Sequence, residues 1–147
     1  MAFGLYVHWP YCESKCPYCD FNSHVASAID SERWIKAYKH EIERVARSCP
    51  DEILSTIFIG GGTPSLMKPE IVEAVLGAAI SAWRTTNDLE ITMEANPGSV
   101  DAARFRSYAS AGVNRVSLGI QSLDETHLRM LGRKHGRDDA LAAIEIA

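Results

Sequence analysis

Short apolar runs alternate along this chain with longer segments in which apolar residues recur at the spacing of a helix. The short runs are rich in branched and aromatic residues and predict strands at residues 3–8, 53–59, 90–95 and 115–120. The helical spacing predicts helices at 30–47, from 69 onwards, at 100–111, in a short segment ending near 132, and from 137 onwards. Four strand–helix units joined by short loops favour an α/β fold with a parallel sheet.

Residues with preferences for helix ends mark several of these boundaries. Asp30 and Ser99 are expected to act as N-caps of the helices that follow them. Ser122 and Glu125 have the spacing of a capping box at the start of the short helix. The last helix has no stop signal, so we expect the chain to be the N-terminal piece of a longer protein.

Polar or glycine-rich segments follow every predicted strand. They are the cysteine loop at 9–28, the glycine run at 60–62, Glu94 with Asn96, and Gln121 with Ser122. Because the carboxyl ends of parallel strands meet at one edge of a sheet, we expect the functional site there. Four units are too few to close a barrel, and the open sheet edge would favour dimerisation or aggregation of an isolated piece.

The composition is that of an ordinary globular domain, with 147 residues of which 46% are hydrophobic and 23% are charged. Apolar runs stay well short of the roughly 18 residues that a membrane helix needs. The start of the chain lacks the basic region and cleavage site of a secretory signal. The net charge of −4 disfavours nonspecific binding to nucleic acid. We therefore expect a cytoplasmic protein without a nucleic-acid partner.

Three of the four cysteines, Cys12, Cys16 and Cys19, are crowded into one short segment. A disulfide framework would spread its cysteines along the chain, so these thiols indicate ligands of a metal or an iron–sulfur cluster. Three thiolates would leave one iron of a [4Fe–4S] cluster open to a substrate or cofactor. The alternative is a structural zinc site with His8 or His24 as fourth ligand, although zinc ribbons prefer two separated pairs of cysteines.

The spacing Cys12-x3-Cys16-x2-Cys19, directly after a first strand, resembles the cysteine motif of the radical S-adenosylmethionine (SAM) superfamily. The glycine run followed by Thr63 and Pro64 resembles the SAM-binding motif of that superfamily. The resemblance implies a partial TIM-like (βα)6 radical SAM barrel whose first four βα units occupy residues 1–147. It also implies a [4Fe–4S] cluster whose open iron binds SAM and whose electron releases a 5′-deoxyadenosyl radical.

Longer stretches are similar to the oxygen-independent coproporphyrinogen III oxidases and the related HemW-type heme chaperones. The likeness is carried by LYVHWPYC at 5–12, CPYCDF at 16–21, GGGTP at 60–64, EANP at 94–97 and GIQS at 119–122. The oxidases usually carry a further cysteine two positions after the third ligand, where this chain has Phe21.

The resemblance therefore favours a chaperone that binds heme and delivers it to heme proteins, such as respiratory enzymes. The alternative is an oxidase that decarboxylates the propionates of a porphyrinogen. The sequence thus leaves open whether the chain is an enzyme.

The same resemblance assigns the candidate site residues. The cluster ligands are Cys12, Cys16 and Cys19. The contacts of the cluster-bound SAM are Tyr6, Gly61 and Glu94. The positions at which the oxidases hold a second SAM are Tyr18, Gly62, Thr63, Gln121 and Arg133. Simpler roles stay open here, since Tyr6 could belong to the core, Glu94 could pair with Arg115, and Arg133 could end a solvated helix.

Overall fold

The computed structural model describes residues 2–26 and 28–147. Its strands are β1 (Ala2–Trp9), β2 (Tyr11–Cys12), β3 (His24–Val25), β4 (Ile53–Gly61), β5 (Arg84–Ala95) and β6 (Arg115–Leu118). Its helices are α1 (Ser31–Ser48), α2 (Pro69–Ala82), α3 (Ala102–Ala111), α4 (Glu125–Met130) and α5 (Arg137–Ile146). Four parallel strands form the main sheet in the order β1-β4-β5-β6, and β2 pairs with β3. This is the predicted arrangement of four βα units in an incomplete barrel.

The hydrophobic core lies on one side of the main sheet. Side chains of β4 such as Ile57 and Ile59 are buried in one cluster with Val75 and Leu76 of α2. The alternate positions of the strands face the other way, and Tyr6 there is 56% exposed. The sheet therefore has one covered face and one open face. Within the described residues, no helix is both long and apolar enough to cross a membrane.

The N-cap prediction is confirmed for α1 and wrong for two later helices. Asp30 accepts a hydrogen bond from the backbone N–H of Arg33 at 3.0 Å. Asp101, and not Ser99, caps α3 by accepting from the backbone N–H of Arg104 at 2.8 Å. Ser99 is instead the last residue of a 3₁₀ turn, Pro97–Ser99, which delays the start of α3.

The capping box predicted for α4 is replaced by a single aspartate. Asp124 accepts from the backbone N–H groups of Thr126 and His127 at 2.7 and 3.0 Å. Ser122 accepts from the backbone N–H of Asp124 and lies two residues before the N-cap position. The Glu125 carboxylate accepts from the backbone N–H of residue 137 at 2.7 Å, and so ties α4 to the start of α5.

Several strand boundaries also differ from the prediction, including the end of β4, which extends through Gly61. β5 begins at Arg84, six residues before the predicted start, because Arg84 and Thr85 pair with Ile53 and Leu54 at the start of β4. After a last ladder bond from the N–H of Gly119 to the carbonyl of Ala95, β6 ends because the N–H of Ile120 donates back to the carbonyl of Leu118 and turns the chain. This turn brings residues 119–121 to the carboxyl edge of the sheet, where the candidate site lies.

Candidate functional site

The cysteine loop begins where β1 ends, at the carboxyl edge of the main sheet. The short strands β2 and β3 close its base, with Cys12 paired to Val25. Within the loop, the backbone N–H of Cys19 donates to the carbonyl of Cys16 at 3.1 Å. All three cysteines are half-buried, whereas the side chains between them at Glu13 and Lys15 are exposed. The loop therefore directs its thiols toward the protein.

The glycine turn at residues 60–62, where β4 ends, packs directly on the start of this loop. The backbone N–H of Gly62 donates to the carbonyl of Trp9 at 2.6 Å, and that of Thr63 donates to the carbonyl of Tyr11 at 2.8 Å. A Cβ atom on Gly62 would lie only 2.5 Å from the carbonyl oxygen of Tyr11. Gly61 has a φ of +115°, which disfavours any other residue type. The glycine run is thus needed because the backbone at the end of β4 lies very close to the backbone of the cysteine loop.

Glu94 reaches this turn from the end of β5. Its Oε2 accepts a hydrogen bond from the backbone N–H of Gly61 at 3.1 Å. Arg115, the alternative partner, binds Glu90 instead, with 2.9 Å between Nη1 and Oε1. Glu94 is therefore held at the site by the backbone of the glycine turn and does not pair with Arg115.

Tyr6 and His8 form a hydrogen-bonded pair on the open face of β1. The hydroxyl of Tyr6 lies 3.0 Å from His8 Nδ1, and His8 Nε2 lies 2.9 Å from the carbonyl oxygen of Asn22. Since a carbonyl can only accept, Nε2 carries the proton and Nδ1 accepts from Tyr6. Partial burial and the nearby charge of Glu94 raise the pKa of the Tyr6 phenol. Tyr6 is therefore not a core residue.

Arg133 lies against the cysteine loop and is not a solvated helix end. Its Nη1 lies 3.2 Å from the Tyr18 hydroxyl and 3.6 Å from Cys16 Sγ, and its Nη2 donates to the carbonyl of Gly119 at 2.8 Å. Burial is the largest influence on Tyr18 and raises the pKa of its phenol, against the opposing charge of Arg133. The Arg133 guanidinium thus links the turn after β6 to the middle of the cysteine loop.

One cavity of about 310 Å³ collects nearly all of the predicted site residues. Those that line it are Cys12, Cys16, Cys19, Tyr18, Gly61, Gly62, Thr63, Glu94, Gln121 and Arg133. Tyr6 is outside this lining and lies beside Gly60, where a Cβ atom would be 3.1 Å from the Tyr6 ring and 3.0 Å from Glu94. The eleven predicted residues therefore occupy one edge of the sheet.

Ten further lining residues were not among the predicted site residues, including one polar residue from each of three separate segments. Lys15 lines the cavity from the cysteine loop, Asn96 from the turn after β5, and Ser117 from β6. Asn96 was already expected at this edge from its place directly after a strand, but it was given no role. Ser117 could have been found from register, because it is paired with Glu94 in the sheet. Lys15 gave no signal that distinguishes it from an exposed loop lysine.

The donor set fits an iron–sulfur cluster better than a zinc ion. Among residues 2–26 and 28–147, no three His, Cys, Asp or Glu side chains are placed to hold a single metal ion. Both candidate fourth ligands for zinc bind Asn22, since His8 Nε2 is 2.9 Å from its carbonyl and His24 Nε2 is 3.2 Å from its Oδ1. A [4Fe–4S] cluster binds each thiolate at a different iron, so thiols around a cavity suit it.

Comparison with known proteins agrees with this chemistry. The family model of the Radical SAM superfamily matches residues 6–147. The chain is 42% identical over 145 residues to the heme chaperone HemW of Escherichia coli (strain K12). That match covers 98% of this chain and 38% of that protein. It is 44% identical over 141 residues to the mitochondrial radical S-adenosyl methionine domain-containing protein 1 of Bos taurus, covering 96% of this chain and 32% of that protein.

A solved structure confirms the fold. The chain superposes on coproporphyrinogen III oxidase (HemN) from Escherichia coli, described as a radical SAM enzyme, with a TM-score of 0.86. The identity is 24%, and the match covers 98% of this chain and 33% of that one. This likeness confirms the partial barrel predicted from the sequence. The chain spans about a third of the length of the relatives it matches.

Proposed function

Because this chain belongs to the radical SAM superfamily, which uses SAM and a [4Fe–4S] cluster, we propose that Cys12, Cys16 and Cys19 bind the cluster. Three half-buried thiols on one loop, all lining one cavity, support this assignment. When bound, the cluster supplies the electron that cleaves the sulfonium of SAM. The proposal needs three thiolates only, which leaves one iron for the cofactor.

The glycine turn and Glu94 are proposed to hold the SAM at that iron. An ionised carboxylate only accepts hydrogen bonds, which suits the ammonium or the ribose hydroxyls of SAM. The backbone N–H of Gly61 orients the Glu94 carboxylate before any ligand arrives. Tyr6 stands next to Glu94 with its hydroxyl proton directed to His8, so its aromatic face is left for contact with the ligand.

A second SAM would contact Tyr18, Gly62, Thr63, Gln121 and Arg133. All five line the cavity, which supports their sharing one ligand. The volume of about 310 Å³ is at the low end of small-molecule sites and suits one SAM better than two.

For the full-length protein we propose a heme chaperone that delivers heme to respiratory heme proteins. The observation that carries this is Phe21, which stands where the oxidases usually have another cysteine. Its ring is 56% exposed and lines the cavity, so it offers an apolar surface to a flat ligand. The identity of 42% to HemW across 98% of the chain supports the same choice. A cytoplasmic location and dimerisation remain predictions.

Anaerobic reconstitution of the full-length protein tests these proposals. Iron and sulfide are assayed first, and the visible spectrum is then followed while SAM and afterwards heme are added. A cluster perturbed by SAM, with stoichiometric heme binding and no decarboxylation of coproporphyrinogen, is the expected result. Turnover of coproporphyrinogen would make the protein an oxidase. Zinc without sulfide would overturn both functions, and size-exclusion chromatography of the same sample tests dimerisation.

A further inference from the structure

We infer that Arg133, besides its proposed contact with a second SAM, is a positioning residue that raises the reduction potential of the cluster through Cys16. Its Nη1 lies 3.6 Å from Cys16 Sγ, within the range of an N–H···S hydrogen bond. Cys16 is the middle of the three proposed ligands. Arg133 thus places a permanent positive charge next to a thiolate that belongs to the cluster.

The backbone on either side of Arg133 is fixed to the cysteine loop. Gly132 has a φ of +66°, and a Cβ atom there would lie 2.8 Å from the ring of Pro17. Lys134 pairs with Glu13, with 3.6 Å between Nζ and Oε1. Gly132 and Lys134 thus contact the loop on either side of Cys16. The close approach of Gly132 to Pro17 positions Arg133, since the exposed Lys134–Glu13 pair contributes little.

Three of the five N–H donors of Arg133 are directed at the protein. Nη1 donates to Cys16 Sγ and to the hydroxyl of Tyr18, and Nη2 donates to the carbonyl of Gly119. Nε is buried and has no hydrogen-bond partner among the described residues, which leaves the second proton of Nη2 as the donor that a ligand in the cavity reaches. A fork that binds a carboxylate at two points would need two of these donors free. The geometry therefore favours the cluster ligand as the target of the guanidinium.

A donor to a cluster sulfur shifts the redox equilibrium in a known direction. Reduction adds negative charge to the cluster, and an adjacent cation with a hydrogen bond to sulfur stabilises that charge. Because Arg133 is half-buried, salt screens this interaction less than it would at the surface. The inference rests on the cluster alone, and it holds for either heme-pathway function.

The test is a redox titration of the reconstituted full-length protein in the absence of SAM, monitored by electron paramagnetic resonance. The variants are Arg133→Gln, Arg133→Lys and Lys134→Gln. Arg133→Gln is expected to disfavour reduction about tenfold, which for one electron is about 59 mV toward more negative potential. Arg133→Lys keeps the charge and should retain part of the effect. Lys134→Gln removes a neighbouring charge in an exposed pair and should leave the potential unchanged.

Each other outcome overturns the inference. An unchanged potential in Arg133→Gln, with weaker SAM binding, would assign Arg133 to the cofactor. Equal shifts of the reduction potential in Arg133→Gln and Lys134→Gln would show that the effect comes from general surface charge. Loss of the cluster in both Arg133 variants would make the arginine an assembly residue. The redox titration does not measure heme binding. A negative result therefore does not bear on the chaperone proposal, which the reconstitution with SAM and heme tests separately.

Discussion

Glu94 accepts a hydrogen bond from the backbone N–H of Gly61, with 3.1 Å between Oε2 and the nitrogen. The bond joins the ends of two adjacent parallel strands, β4 and β5, at the edge where the cysteine loop begins. A carboxylate held by a rigid backbone needs little rearrangement when a cationic ligand arrives, which lowers the entropic cost of binding.

Replacing Glu94 by glutamine is expected to weaken SAM binding while preserving the fold. Glutamine is nearly the same size and its carbonyl oxygen can still accept from Gly61, but its negative charge is gone. Hydrogen bonds to charged groups contribute about 1.5–3 kcal/mol, so we expect binding about 10 to 100 times weaker. SAM titrations followed by the cluster spectrum measure the change.

The matched control is Glu90→Gln, since Glu90 lies on the same strand and pairs with Arg115 outside the cavity lining. That variant should bind SAM like the wild type. Equal weakening in both variants, or none in Glu94→Gln, would contradict the assigned role of Glu94.

The sequence predicted that Glu94 and the glycine run lie at one edge of the sheet, because both are at the carboxyl ends of strands of one parallel sheet. It did not predict the position of Arg133 against Cys16, which lie 117 residues apart. Their contact depends on where β6 stops and on the turn at Gly119, and the prediction extended β6 two residues too far. Register and turn geometry, which single-residue preferences describe poorly, decide such contacts.

Serine at Cys12, Cys16 or Cys19 is expected to abolish the cluster, because a serine hydroxyl is a poor substitute for a thiolate ligand of iron. Iron and sulfide per chain after anaerobic reconstitution measure this. Cys49→Ser is the control, since the Cys49 thiol donates to the carbonyl of Val45 within α1 and its neighbours are core residues. A Cys49 variant that lost its iron would contradict the three-cysteine assignment.

Alanine at Gly62 is expected to destabilise the site, whereas alanine at Gly77 should stabilise the protein. A Cβ on Gly62 would lie 2.5 Å from the Tyr11 carbonyl oxygen, so the backbone of the cysteine loop must move. Gly77 is an exposed position within α2 whose added Cβ meets nothing within 4 Å. There alanine should gain about 0.5–1 kcal/mol from its higher helix propensity.

Urea unfolding followed by circular dichroism, together with iron content, compares the two glycine variants. We expect Gly62→Ala to unfold at lower urea and to bind less iron, while Gly77→Ala retains the full cluster. The sequence indicated a tight turn at 60–62 but not which glycine touches the loop. A fully stable, fully loaded Gly62→Ala protein would show that the close approach to Tyr11 is not required.

Tyr108 links the stability of the domain to alkaline pH. Its hydroxyl lies in the core between α3 and the turn after β4, 2.6 Å from the carbonyl of Met67 and 3.1 Å from that of Ser65. Burial, opposed in part by Arg104, raises the pKa of this phenol to about 12. Its pKa in the unfolded chain is about 10.

Below pH 10 the phenol keeps its proton in both states and stability is unaffected. Between pH 10 and 12 the unfolded chain loses the proton while the folded chain retains it, so the free energy of unfolding falls as pH rises. The fall from this group is about 1.4 kcal/mol per pH unit over that window.

Comparing wild type with Tyr108→Phe by urea unfolding from pH 8 to 11.5 isolates this contribution from those of other tyrosines. Near pH 8 the variant should be less stable by about 1 kcal/mol, because it lacks the hydrogen bond to the buried carbonyls. Above pH 10 that deficit should shrink and then reverse, since phenylalanine has no proton to lose. A deficit that stays constant across the whole range would mean that the phenol titrates alike in both states, and the burial of Tyr108 would then carry no electrostatic cost.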